Sequence, residues 1–261
     1  MPCAMRRRLR EIETRRLPCG WPDVLRQLTL FAGVYLLYEI VRAAVAAGSQ
    51  GKPFDDATRV IDLERGLHIF AEPSLQAWAK SMPWLIDLAD WTYLNAHTIV
   101  TLGALVFIYL RRNDSFCFIR NMFMIAMMIA LVGYALYPTA PPRLMPEWGF
   151  TDSVARFLGT SRIDDGPGRE LLNFYAAIPS MHVCFAVMVG VPMARLVTRW
   201  WVRVTWCLYP LLISFVVIVT GNHYFTDVLL GVLTAAASAL LAARLLARAR
   251  PDRWTFSGAT A

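Results

Sequence analysis

Four side chains of this sequence are of types that together handle phosphate: two imidazoles, a carboxylate and a guanidinium. His223 and Asp227 occur in Gly221-Asn-His-Tyr-Phe-Thr-Asp227. A spacing of four places both on one helical face, one turn apart. A carboxylate there can accept the Nδ1 proton of His223 and leave Nε2 free to attack phosphorus. The same spacing also suits a helix-end pair that merely satisfies its own hydrogen bonds. His182 closes Ile178-Pro-Ser-Met-His182. Pro179 favours a first helical position, and the start at Ser180 leaves backbone donors pointing outward, where phosphate is attracted. A histidine in that turn can protonate an oxygen leaving phosphorus; the plainer alternative is a solvated interfacial histidine. Arg143, in Tyr137-Pro-Thr-Ala-Pro-Pro-Arg143, offers a planar fork matched to two phosphate oxygens. Pairing with Glu147 or a lipid headgroup is the competing role.

Weaker candidates surround these. His97, with Tyr93 one turn earlier, sits inside an apolar run, where an ionisable group is costly and usually partnered. These two, with Asn222 and Tyr224 beside His223, are candidates for a substrate cavity wall; for His97 a hydrogen-bonded structural role is the alternative. His68 reads as interfacial. Arg156, Arg162 and Arg169 lie in the loop after Arg143, and its acids Asp152, Asp164 and Asp165 read as a solvated face rather than a metal site.

The elements that must position these residues follow from hydropathy. Of 261 residues, 57% are hydrophobic and 17% charged, against about a quarter charged in a typical soluble domain. The apolar excess falls into runs near the ~20 residues that cross a bilayer. Spans are expected at Leu25 to Ala47, Ile86 to Leu110, Phe116 to Tyr137, Ser180 to Val197, Val202 to Thr220 and Tyr224 to Leu246. A segment from Ala57 to Phe70 alternates Val60, Ile61, Leu63, Leu67 and Ile69 with charges at near-helical spacing, and is expected to lie along the membrane surface. The result is an all-α, polytopic membrane helix bundle of about six spans.

Arginines cluster at alternate ends of these spans: Arg111, Arg112 and Arg120, then Arg195, Arg199 and Arg203, then Arg244, Arg248, Arg250 and Arg253. With the basic start (Arg6, Arg7, Arg8, Arg10), they place both termini in the cytoplasm, N-in and C-in. The chain then divides into a cytoplasmic basic tail (1–24), one transmembrane domain (25–248, catalytic half about 137–231) and a second cytoplasmic tail (249–261). Polar residues from Glu11 to Asp23 separate the basic start from the first apolar run, so a tail is expected rather than a signal peptide. The net charge of +7 is dispersed among these clusters, which argues against nucleic acid as a partner. The five cysteines form no CxxC pair, so neither a disulfide framework nor a metal site is expected. In this topology Arg143, His182, His223 and Asp227 all meet at the face opposite the cytoplasm.

On Pro179-Ser-Met-His182, His223-x-x-x-Asp227 and Tyr137-Pro-Thr-Ala-Pro-Pro-Arg143, the chain resembles the type 2 phosphatidic acid phosphatase (PAP2) superfamily. These motifs look most like its inositol phosphotransferase branch, which includes inositol-phosphorylceramide synthases. The resemblance covers Tyr137 to Gly231. It implies a PAP2/chloroperoxidase-like helical core and a phosphohistidine mechanism without metal or other cofactor. In that mechanism His223 attacks, Asp227 orients it, and His182 protonates the leaving alcohol and then activates water or an acceptor hydroxyl. Arg143 and the backbone from Ser180 through Met181 to His182 hold the non-bridging oxygens. Two positions depart from the superfamily pattern: Leu136 stands for its lysine and Val217 for an arginine. Arg156, Arg162 or Arg169 folding over the site would replace the missing charge.

The expected activity is therefore that of a membrane lipid phosphoester phosphotransferase or phosphatase, with headgroup transfer, inositol phosphate included, favoured. The expected partners are a lipid phosphate or phospholipid substrate, a polyol or other alcohol acceptor, and the surrounding membrane lipids. The expected setting is a bacterial plasma membrane with the site outside the cytoplasm. Alternatives are a polyprenyl (di)phosphate or phosphatidate phosphatase and, from another class, a non-catalytic lipid transporter or scaffold. The lack of an internal repeat and the position of the polar cluster at the span ends count against transport.

Overall fold

The computed structural model describes residues 17–47, 51–160 and 177–246. Helices dominate, and among the described residues there is no strand. Helix α1 is Gly20–Ala47, α2 Lys52–Gly66 and α3 Glu72–Lys80. Helix α4 (Pro83–Trp91) runs through a π turn at Thr92–Ala96 into α5 (His97–Arg111). Then come α6 (Asn113–Leu136), α7 (Ser153–Leu158), α8 (Met181–Leu196), α9 (Trp200–Val219) and α10 (Phe225–Leu241), the last ending in a second π turn, Ala242–Leu246.

Among the described residues, five stretches are long and apolar enough to cross a membrane: Gly20–Ala44, Pro83–Arg111, Asn113–Leu136, Trp200–Val219 and Phe225–Arg244. The chain is an integral membrane protein built as a helical bundle. The fourth expected span, α8, is shorter, at 16 residues. At 1.5 Å per residue it reaches about 24 Å, less than the ~30 Å hydrocarbon thickness. It survives as an apolar helix because protein covers it: α9, α10, α5 and α6 all pack against α8. Val183, Cys184, Ala186 and Val189 are fully enclosed. Its polar start at Ser180 is thereby shielded from lipid.

The segment expected along the membrane surface instead caps one end of the bundle. Ala57, Val60 and Ile61 of α2 pack with Ala140, Met145, Phe150, Ile178 and Tyr224. Glu64, on the same face as Ala57, Val60 and Ile61, is completely buried despite its charge. The loop after α6 also has more order than its Pro/Gly content suggests. It contains two 3-10 turns, Pro142–Leu144 and Pro146–Trp148, and α7, which Asp152 caps by accepting from the Ala155 amide at 2.9 Å.

Candidate phosphate-handling site

The site assembles where the ends of α1 and α6, the start of α8 and the α9–α10 turn converge with the middle of the α4–α5 span. The turn is locally determined. The Asn222 and His223 amides both donate to the Val217 carbonyl, at 3.0 and 3.1 Å. Gly221 takes φ +71°, and a Cβ there would lie 2.7 Å from Gln76 Nε2. Both the left-handed backbone and the close approach require glycine. The turn presents His223 just before α10, while Asp227 occupies that helix's third position and accepts from the Tyr224 amide at 3.0 Å, half of a capping box.

The same carboxylate oxygen, Asp227 Oδ2, lies 3.2 Å from His223 Nδ1. Asp227 is fully buried and His223 is 5% exposed. A neutral imidazole donating from Nδ1 therefore keeps its Nε2 lone pair available. The His182 ring lies 5.8 Å from that of His223, stacked on Tyr93 at 4.6 Å and tilted against His97 at 5.3 Å. The π turn between α4 and α5 contains Tyr93 and is followed directly by His97, and both rings reach His182. His97 Nδ1 in turn meets the Tyr209 hydroxyl at 2.9 Å.

Arg143 enters from the loop. Its amide donates to the Gly221 carbonyl at 2.7 Å, and its guanidinium donates to Asn222 Oδ1. Its Nε lies 3.9 Å from Asp152 Oδ2, an ion-pair distance too long for a hydrogen bond. The acid beside it is Asp152 rather than Glu147, which the competing role had named. Asn222 also donates to Thr220 Oγ1 at 2.8 Å, so the Arg143–Asn222 pair is fixed from both sides.

Helix α8 begins against this cluster. Ser180 Oγ accepts from the Val183 amide at 3.5 Å, and the Ser180 amide donates to the Asp227 carbonyl at 3.1 Å. Ser180 thus caps α8 with its hydroxyl and ties it to α10 through its amide. The first-turn amides of Met181 and His182 remain at the helix start. Close packing enforces the junction: a Cβ on Gly231 would lie 2.5 Å from the Ser180 carbonyl oxygen.

A cavity of about 110 Å³ opens among Tyr38, Arg42, Tyr93, Tyr134, Pro141, Arg143, Ala177, Met181, His182, Asn222 and His223. One water needs only ~10–15 Å³ by this measure, so a phosphate group has room. Among the sequence candidates, Tyr93 and Asn222 line the cavity. Tyr224 does not: its hydroxyl donates to the Ala140 carbonyl at 3.3 Å and its ring packs edge-on against Phe150. Burial holds its phenol pKa well above the ordinary value, so it stays a neutral donor. His97 is also off the wall, standing behind His182.

Two further expectations change. Arg156 pairs with Asp87 at 2.6 Å and lies 3.6 Å from Asp90, which fastens α7 to α4 and keeps it out of the site. Arg162, Arg169, Asp164 and Asp165 lie outside the described residues. Leu136, at the superfamily's lysine position, is 71% exposed, and Val217, at its arginine position, is fully buried against α8.

Three residues were not anticipated. Arg42 lies inside the first apolar run, and an intramembrane arginine is itself a functional signal. Glu72 and Glu64 hold the start of α10: Glu72 Oε1 accepts from the Phe225 amide at 3.0 Å and Glu64 Oε1 from the Thr226 amide at 2.7 Å. Both glutamates are fully buried. Burial first, and the hydrogen bond to Glu64 second, push the Glu72 carboxyl up to about 8. The Oε2 atoms of both have no hydrogen-bond partner among the described residues. Their separation in sequence from α10 hides this from any motif.

The family model of the PAP2 superfamily matches residues 58–241. A phosphoinositol dihydroceramide synthase of Bacteroides thetaiotaomicron is 28% identical over 121 residues, which cover 42% of this chain and 40% of that protein. No solved structure matches.

Proposed function

The chain belongs to the PAP2 superfamily, and from that premise we propose that it moves a phosphate-bearing headgroup between lipid and acceptor through a covalent bond to His223. The observation that carries this is the convergence of His223, Asp227, His182 and Arg143 on one small cavity. His223 Nε2 attacks phosphorus, forming a P–N bond as the P–O bond to the lipid alcohol breaks. His182, protonated, gives its proton to the departing oxygen. Asp227 orients the His223 ring through Nδ1 and offsets the positive charge that develops on it. Neutral His182 then takes a proton from the acceptor hydroxyl, whose oxygen attacks phosphorus and releases His223. Arg143 and the amides of Met181 and His182 bind the non-bridging oxygens, where charge is concentrated in phosphoryl transfer.

Transfer is favoured over hydrolysis of a phosphomonoester by the charge of the site. Neither superfamily cation position supplies a cation, and Asp152 offsets part of Arg143. A singly charged phosphodiester, the form of a phospholipid headgroup, suits this balance better than a dianionic monoester. The similarity to a phosphoinositol dihydroceramide synthase makes inositol phosphate the first headgroup to test. The site opens to the side of the membrane away from the cytoplasm.

Purified wild type and His223→Ala are incubated with a bacterial lipid extract, with and without added inositol, and products are followed by mass spectrometry. A wild-type-specific lipid carrying a new headgroup is expected. A wild-type-specific dephosphorylated lipid would make the enzyme a phosphatase. Identical profiles from two folded proteins would point instead to a non-catalytic lipid carrier.

A further inference from the structure

The superfamily's missing cations leave a question of charge, and the structure offers an answer from outside the segment that the family model matches. Arg42 lies on α1, before residue 58, where that match begins. Its side chain is 20% exposed and pairs with Glu39 at 2.7 Å. It stands 5.7 Å from the centroid of the Tyr38 ring. The Tyr38 and Tyr134 hydroxyls meet at 3.3 Å, and Tyr134 donates to the Pro179 carbonyl at 3.2 Å. This chain ties α1 to the residue that precedes the Ser180 cap of α8. Arg42, Tyr38 and Tyr134 share one cavity with Arg143, His182 and His223.

We propose that Arg42 is a second phosphate-binding cation of this site, donating with Arg143 to the non-bridging oxygens of the lipid phosphoester. The inference rests on the phosphate-transfer reading above. A guanidinium placed in an apolar span is costly unless compensated, and Glu39 supplies part of that compensation. Five N–H donors allow Arg42 to keep Glu39 and still meet an oxyanion. The Tyr38–Tyr134–Pro179 chain limits where α1 can sit, so the guanidinium is preorganised over the start of α8. The first transmembrane helix thereby becomes part of the binding site rather than only an anchor.

Orthovanadate binding to the detergent-solubilised full chain, read as a concentration-dependent rise in unfolding temperature, tests this without a known lipid substrate. Arg42→Gln is expected to unfold near the wild-type temperature without vanadate. It is expected to need about 10- to 100-fold more vanadate for the half-maximal shift, as loss of a charge-assisted bond implies. Arg42→Lys keeps the charge without the fork and should fall between. Equal vanadate dependence in Arg42→Gln and wild type would overturn the proposal; should Arg42→Gln not fold, an unchanged dependence in Arg42→Lys does the same. If wild type binds vanadate and His223→Ala does not, the phosphate-site reading stands whatever Arg42 does. No vanadate effect on wild type would overturn both.

Discussion

Asp227 Oδ2 serves two partners at once, the His223 ring at 3.2 Å and the Tyr224 amide at 3.0 Å. That bond to the backbone fixes the carboxylate before any substrate arrives, so the imidazole inherits a fixed orientation and tautomer. Asp227→Asn keeps the size but can donate to the ring instead of accepting from it. The expected loss in turnover is about 10²- to 10⁴-fold with little change in KM, measured by steady-state kinetics on the lipid product. Arg143→Ala removes an oxyanion donor and should cost about 10²- to 10³-fold. The His223–Asp227 pairing was legible in the four-residue spacing, but the structure makes it across the helix start: His223 lies in the turn before α10, and only Asp227 is on the helix. The roles of Tyr224 and Arg156 were not legible, since each is decided by a contact with a distant segment, Ala140 in one case and Asp87 in the other.

At the scale of elements, the start of α10 depends on Glu64 and Glu72, which lie on α2 and α3 and reach across to the amides of Thr226 and Phe225. The folded carboxyl of Glu72, raised from 4.5 to about 8, binds its proton more tightly than the unfolded chain does. Its contribution to stability is therefore whole below about pH 4.5 and is lost as pH rises through about 8. Unfolding temperature and turnover should fall together across that upper range. Glu72→Gln, which keeps the acceptor oxygen and supplies an N–H to Glu64, should flatten both profiles. Gly231→Val tests the α8–α10 junction, where even a Cβ would lie 2.5 Å from Ser180 carbonyl oxygen. Overpacking of about 1–3 kcal/mol is expected in a chemical or thermal melt, with a larger fall in turnover because His182 moves with α8. Hydropathy located the apolar helices to within about five residues, five of them long enough to cross a bilayer among the described residues and α8 shorter. It did not reveal the π turn at Thr92–Ala96 or the burial of α2, which packing decides.

For the whole molecule, the bundle encloses α8 and gathers polar side chains at one end, and on the alternating arginines we propose that this end faces away from the cytoplasm. In right-side-out vesicles, a cysteine introduced at the exposed Leu158 should react with a membrane-impermeant maleimide. Exposed Cys19 should react only after permeabilisation. The reverse pattern would invert the topology and turn the site toward the cytoplasm.

The proposed transfer stands or falls with a covalent bond between phosphorus and His223. The most direct measurement is a rapid chemical quench of wild type, His182→Ala and His223→Ala mixed with a turned-over lipid, followed by peptide mass spectrometry under conditions that preserve P–N bonds. A phosphoryl or headgroup-phosphoryl adduct on His223 of wild type, and none in the His223→Ala protein, is the predicted result. Full turnover with no adduct on His223, or an adduct on His182 instead, would contradict it.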